Sequence, residues 1–222
     1  MGTESLYRNK RSKAQAVGRG KATRAPYAKV LIVCEGEKTE VNYFNEIKTY
    51  YELNSTNIKI SGKCGSAPIS VAQHAFELYR EELKARRDPF DRVYCVFDQD
   101  SHTSFAQAVI EINKQKPAGV FHAITSTPCF EYWFLLHFVH SQRPFTGSGS
   151  QSPAEQLIGY LTSNHWKEYR KGEKGIFKSL IQDLPQAKLR AAQIAAASTA
   201  SGTTNPLTNV HLMVDYLQKI RA

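Results

Sequence analysis

Three acidic residues stand where unbroken apolar runs stop. Val30-Leu31-Ile32-Val33-Cys34 leads directly into Glu35 and Gly36, and Val93-Tyr94-Cys95-Val96-Phe97 leads into Asp98-Gln99-Asp100. A run of this kind suits a strand buried on both faces, as in a parallel sheet covered by helices. Acids at the ends of such strands sit at the carboxyl edge of the sheet, where open α/β folds place their ligands. If the first and third strands are neighbours, Glu35, Asp98 and Asp100 converge on one crevice. Their carboxylates are hard oxygen ligands suited to a divalent cation such as Mg²⁺ or Mn²⁺.

Asp-x-Asp alone is a weak signal, since such pairs commonly cap turns. Haloacid-dehalogenase-type phosphatases use it with a following Thr or Val pattern, but here His102 follows, and the later Asp183 and Asp215 form no acidic pair. Metal-dependent glycosyltransferases also use it, yet that chemistry leaves Glu35 and the basic amino-terminal segment without a role. Phosphodiester hydrolysis uses all of them. Metal ions held by Glu35, Asp98 and Asp100 would polarise the phosphoryl group, activate water and stabilise the leaving oxygen. Gly36 leaves room for a phosphate or a close backbone approach at the strand–helix turn.

The elements needed to position these acids are legible from periodicity. Val41, Phe44, Ile47 and Tyr51 stripe a helix that Thr39 is expected to cap. A second strand fits 57–61, with Gly62, Gly65 and Pro68 turning the chain into a helix striped by Ile69, Ala72, Phe76, Tyr79 and Leu83. Phe105, Ala108, Val109 and Ile112 mark the next helix, and 120–124 a fourth strand. Strands alternating with helices predict right-handed crossovers and a parallel four-stranded sheet. Beyond Pro128, Phe130-Glu131-Tyr132-Trp133-Phe134 opens a very apolar helix. Its aromatics read as core, and helices near 153–164, 185–198 and 207–220 follow, with 198–205 as a polar connector. Glu131 is either a functional acid or a solvated residue on a packed helix. An unpaired buried acid is costly, and the first turn of a helix leaving the carboxyl edge favours a carboxylate, so Glu131 is taken as a fourth catalytic acid. Lys38 and Lys63 are candidates for phosphate contact, with solvation as their ordinary role.

The totals bound these readings. At 222 residues and 41% hydrophobic content the chain can bury one good core. No apolar run spans a bilayer and no signal-peptide core is seen, so no membrane partner and a cytoplasmic location are expected. The four cysteines contain no Cys-x-x-Cys pair, and two lie inside the strand runs, which suits a reducing compartment. Of the net charge of +9, residues 1–29 carry eight basic residues against Glu4, leaving +2 for the rest. Residues 1–26 therefore read as a disordered basic tail that can lie along nucleic-acid phosphates, and 27–222 as one domain: an α/β core to about 140, then a helical extension.

Four ordered segments resemble the RloB-like family: Leu31–Phe44 around Cys-Glu-Gly-Glu, Val93–Asp100, Thr127–Phe138, and Asn205–His211. The resemblance implies a Toprim-like catalytic core in which Glu35, Asp98 and Asp100 are the acidic triad and metal ligands, with Mg²⁺ or Mn²⁺ as cofactor. It further implies a role in bacterial anti-phage defence beside an AAA-type ATPase. Within Toprim chemistry a topoisomerase needs a tyrosine on a further domain and a primase a zinc module. Neither fits this chain, which leaves a nuclease of DNA or RNA. A non-catalytic nucleic-acid-binding or scaffold subunit is the alternative, and homo-oligomerisation is left open. Asn209 and His211 match the last segment, and their expected roles are helix capping and packing.

Overall fold

The computed structural model describes residues 28–54, 56–62, 64–65, 67–99 and 103–220. The expected tail 1–26, Lys63 and Asp100 lie outside them. Strands β1 (Val30–Cys34), β2 (Ile58–Ser61), β3 (Arg92–Asp98) and β4 (Phe121–Thr127) form a parallel sheet in the order β2-β1-β3-β4. This is the expected four-stranded core. A short fifth strand, β5 (Leu207–Thr208), joins β4 in antiparallel fashion. Two residues flanked by Pro206 and Asn209 carry no period-two pattern, so no strand was expected there.

The sheet alternates strictly between two cores. Val30, Ile32, Cys34, Tyr94 and Val96 face one side, while Leu31, Val33, Val93, Cys95 and Phe97 face the other. Every residue of β1 is fully buried, as its all-apolar sequence requires. Helices α2 (Pro68–Lys84) and α3 (Phe105–Lys114) cover one face with Val71, Ala72, Ala75, Tyr79, Ala108 and Ile112. Helix α1 (Thr39–Tyr50) covers the other. The crossovers switch faces because strand order reverses between β1 and β3.

Helix α4 (Glu131–Phe138) lies beside α1 and is buried on every side from Glu131 to His137. A short, apolar helix of this kind has no solvent face because α5 (Pro153–Asn164) and α7 (Leu184–Ser201) close over it. Trp133 donates its indole N–H to the Tyr43 hydroxyl at 2.7 Å, and Phe44, Phe130, Phe134 and Phe177 pack edge-on around Tyr43 and one another. Truncating Phe134 there to alanine would cost about 3–5 kcal/mol. The aromatics near 130–134 are thus core, as expected.

The carboxyl-terminal part departs from the sequence reading in detail. Helix α6 (Ile176–Leu180), followed by a 3-10 turn (Ile181–Asp183), was not foreseen; Glu46 of α1 caps it by accepting the N–H groups of Gly175 and Phe177. Helix α7 continues to Ser201, through half of the expected connector, before Gly202 ends it in the left-handed conformation. Helix α8 (Val210–Ile220) completes the layer. Thr39 does not cap α1. It is the first helical residue, and its hydroxyl instead accepts the N–H of Gly172, 133 positions away.

Candidate active site

The carboxyl ends of β1, β3 and β4 converge with the amino ends of α1 and α4. Glu35 extends the β1–β3 ladder by one residue, its N–H bonding Val96 O at 2.9 Å. That fixes its backbone, and its carboxylate turns onto the neighbouring strand: Oε2 accepts the N–H of Asp98 at 3.0 Å. Asp98, the last residue of β3, accepts the backbone N–H of Phe130. The adjacency of β1 and β3 therefore brings Glu35 and Asp98 together.

Glu131 is the first residue of α4 and is 1% exposed. Its Oε1 accepts the Tyr169 hydroxyl at 2.9 Å, and the Lys171 ammonium lies 4.0 Å from the same oxygen. It is neither solvated nor unpaired, and it sits within the electrostatic reach of Asp98. It stands in the first turn of a helix, where the sequence analysis put it.

Glu40 is an acid of the same cluster that the sequence analysis did not single out. It occupies the first turn of α1 and is buried. A methyl group on Gly36 would lie 2.1 Å from Glu40 Oε2, so the carboxylate occupies the space that the glycine leaves. The room expected there for a phosphate is taken by this side chain. Glu40 could have been found: it shares a face with Phe44 and Ile47 at helical spacing, an acid on an apolar stripe. Tyr169 and Lys171 gave no local signal, because they arrive on a loop between α5 and α6. That loop is pinned to α1 where Gly172 N–H bonds Thr39 and Asn42 donates to Gly172 O.

The four carboxylates are electrically coupled. Burial, then Glu40, Glu131 and Glu35 in turn, push the Asp98 carboxyl well above its usual range, against the opposing Phe130 N–H. Glu40 is pushed up to about 7, chiefly by burial and then by Glu131 and Glu35, although its own backbone N–H and Lys171 oppose the rise. Lys171 is correspondingly raised, most of all by Glu131. Among the described residues, Lys171 is the ammonium beside these acids, within electrostatic reach of Glu131, Asp98 and Glu40. The opposed shifts mark a concentration of negative charge there.

The donors here are carboxylate oxygens, a type that favours Mg²⁺ or Mn²⁺ over softer metals. Among the described residues, however, no three His, Cys, Asp or Glu side chains are grouped so that they could hold a metal ion. Of the three expected ligands, Glu35 and Asp98 meet; the third, Asp100, falls outside the described residues. Lys38 is exposed beside the site. Asn209, expected to cap a helix, instead turns its side chain to β4, accepting the Thr125 N–H and donating to Ala123 O, while His211 is packed and buried. No helix among the described residues is long and apolar enough to cross a membrane.

No curated protein and no solved structure is significantly similar to the chain. The model of the RloB-like protein family, in contrast, matches residues 30–217, from the first residue of β1 nearly to the end of α8 and across the whole acid cluster. The chain belongs to the RloB-like protein family.

Proposed function

We propose that the protein is a metal-dependent nuclease that hydrolyses phosphodiesters of DNA or RNA. The observation that carries this reading is the meeting of the part-buried Glu35 and Asp98 at adjacent strand ends, beside the buried Glu40 and Glu131, with Lys171 as the neighbouring cation among the described residues. Glu35 and Asp98, with Asp100, would hold Mg²⁺ or Mn²⁺. The bound ion would supply Lewis-acid polarisation of the phosphoryl group and a lowered water pKa.

The chain's own residues divide the remaining work. Glu40, poised near neutral pH, accepts or returns a proton at its carboxylate. Tyr169 fixes one oxygen of Glu131, so that this acid keeps one orientation toward the crevice. Lys171 supplies positive charge beside the acids, where negative charge develops on a cleaved phosphodiester. The basic residues near the amino terminus add charge for an anionic polymer. On the family resemblance, we place this activity in phage defence beside an AAA-type ATPase.

The test is incubation of the purified protein with single- and double-stranded DNA and RNA, in Mg²⁺, Mn²⁺ or chelator, with and without the neighbouring ATPase. Metal-dependent cleavage is expected. Binding that is unaffected by chelator, with no cleavage in any combination, would leave a scaffold instead.

A further inference from the structure

A groove of about 610 Å³ follows the outer edge of β4. Its walls are α3, through Phe105 and Val109, and α8, through Leu212 and Tyr216. One end lies at Arg92 and His122, near the start of the strands; the other lies at Gln99 and Thr127, and Gln99 directly follows Asp98. The groove therefore runs the length of the sheet and ends beside the acid cluster.

An open strand edge invites a partner strand, but this one is already occupied. The Asn209 side chain donates to Ala123 O at 3.1 Å and accepts the Thr125 N–H at 2.6 Å, while the Asn209 N–H bonds Thr125 O at 3.2 Å. Thr127 is paired with Leu207. The backbone template for an added peptide strand is thus spent over most of the edge.

What remains is the half-buried His122 and Tyr216 rings, backed by the buried Tyr94 ring, and the positive charge of Arg92, which also donates to Gly119 O at 2.8 Å. Tyr94 lies 5.3 Å from His122 at an interplanar angle of 31°, and 5.8 Å from Tyr216. The Arg92 guanidinium sits 5.4 Å from the Tyr216 ring centre and bonds His122 Nε2. Arg92 is the one Asp, Glu, Lys or Arg among the described residues lining the groove. Burial, then Arg92, hold His122 below its usual pKa, so its ring is neutral when it stacks. Aromatic faces, a guanidinium and side-chain amides are the means by which proteins hold unpaired bases, whereas duplexes are held largely by their phosphates. The acid cluster repels a polyanion; among the described residues the adjoining groove carries no acid.

We propose that this groove binds unpaired nucleotides of a nucleic acid, with bases against the His122 and Tyr216 rings that Tyr94 supports from the core, and the backbone leading past Gln99 to Asp98. The inference rests on the nuclease reading for its direction, but its test does not need cleavage. A fluorescent single-stranded oligonucleotide carrying 5-iodouracil is titrated into the full chain in chelator, then photocrosslinked and mapped by mass spectrometry. Tighter binding than a blunt duplex of equal length is expected, with crosslinks on peptides containing Tyr94, Phe105, His122 or Tyr216. Tyr216→Leu, which removes a flat ring, should weaken binding at least about 5-fold. Leu212→Asp should weaken it too; Leu212 is 56% exposed, so folding tolerates the change and the new charge faces the groove. Crosslinks confined to other elements, or both variants binding like the parent, would overturn the proposal, as would a groove filled by a partner peptide, which excludes the probe. If the groove binds as described but no metal restores cleavage, the nuclease reading alone fails.

Discussion

The two ends of the sheet handle charge in opposite ways. At the amino end, Glu82 of α2 is met by the Lys29 ammonium at 2.6 Å and by Arg87 at 3.1 Å, and the Lys29 bond in particular holds its carboxyl below the usual range. At the carboxyl end, Glu40 and Asp98 are both pushed up; Lys171 opposes the rise at Glu40, and the Phe130 N–H opposes it at Asp98. Glu82 and Glu40 have the same 7% exposure, but burial dominates at Glu40, whereas at Glu82 the Lys29 bond outweighs it. Their partners thus decide the sign. Among the described residues, the acid at one end is met by two cations, whereas those at the other end share Lys171; the proposed cation would offset the resulting cost in stability.

The comparison can be broken most sharply at Glu131. Glu131→Gln keeps the volume and can still accept the Tyr169 hydroxyl, but it removes charge from the cluster. Cleavage should fall at least about 100-fold, while binding in Ca²⁺ stays nearly constant. Normal cleavage with a lower melting temperature would make Glu131 a structural acid. A smaller loss, about 10-fold, is expected for Gly36→Ala, because the new methyl group displaces the Glu40 carboxylate. Wild-type turnover in that variant would show that the position of Glu40 is immaterial. At the amino end, Glu82→Gln should cost about 2 kcal/mol in denaturant unfolding and leave cleavage per folded molecule unchanged.

The pH dependence separates the ends further. In the metal-free protein the Glu40 carboxyl titrates near 7, against 4.5 for its ordinary value. Between those limits the folded form binds more protons than the unfolded form, so this group lowers stability as pH rises from about 4.5 to 7. Glu82, shifted downward, acts oppositely: its stabilisation is present above its unfolded pKa and is lost on acidification through its folded pKa. Buried His137, lowered to about 4, also favours the folded state as pH rises from that value toward 6.5. The readout is therefore a difference: Glu40→Gln should gain stability relative to the parent between pH 4.5 and 7. A difference that stays constant across that window would remove Glu40 from the coupled group. Saturating Mn²⁺ should shrink it at pH 8.

What was legible in the sequence followed from patterns that one segment carries alone. The apolar runs ending at Glu35 and Asp98 gave the central strands and their edge, and Pro128 with the apolar run after it placed Glu131. What stayed hidden depends on distant partners. Thr39 was read as a helix cap because capping is the local role of threonine, yet Gly172 claims its hydroxyl. Lys171 enters the site only because a loop from the carboxyl-terminal half docks on α1, and the two residues of β5 are too few to show a period. Glu40 lay in between. Its place on the apolar stripe was visible, but the glycine four residues earlier was credited to a ligand rather than to this carboxylate.

The central claim is that the carboxyl end carries the chemistry and the amino end the fold. Cleavage by Asp98→Asn and Glu82→Gln, measured side by side in Mg²⁺ or Mn²⁺ with the melting curve of each, tests it most directly. Asp98→Asn should keep or raise the melting temperature and lose cleavage, because it removes a charge the folded state disfavours. Glu82→Gln should melt lower and cleave normally. Cleavage by Asp98→Asn at the parent rate would contradict the account.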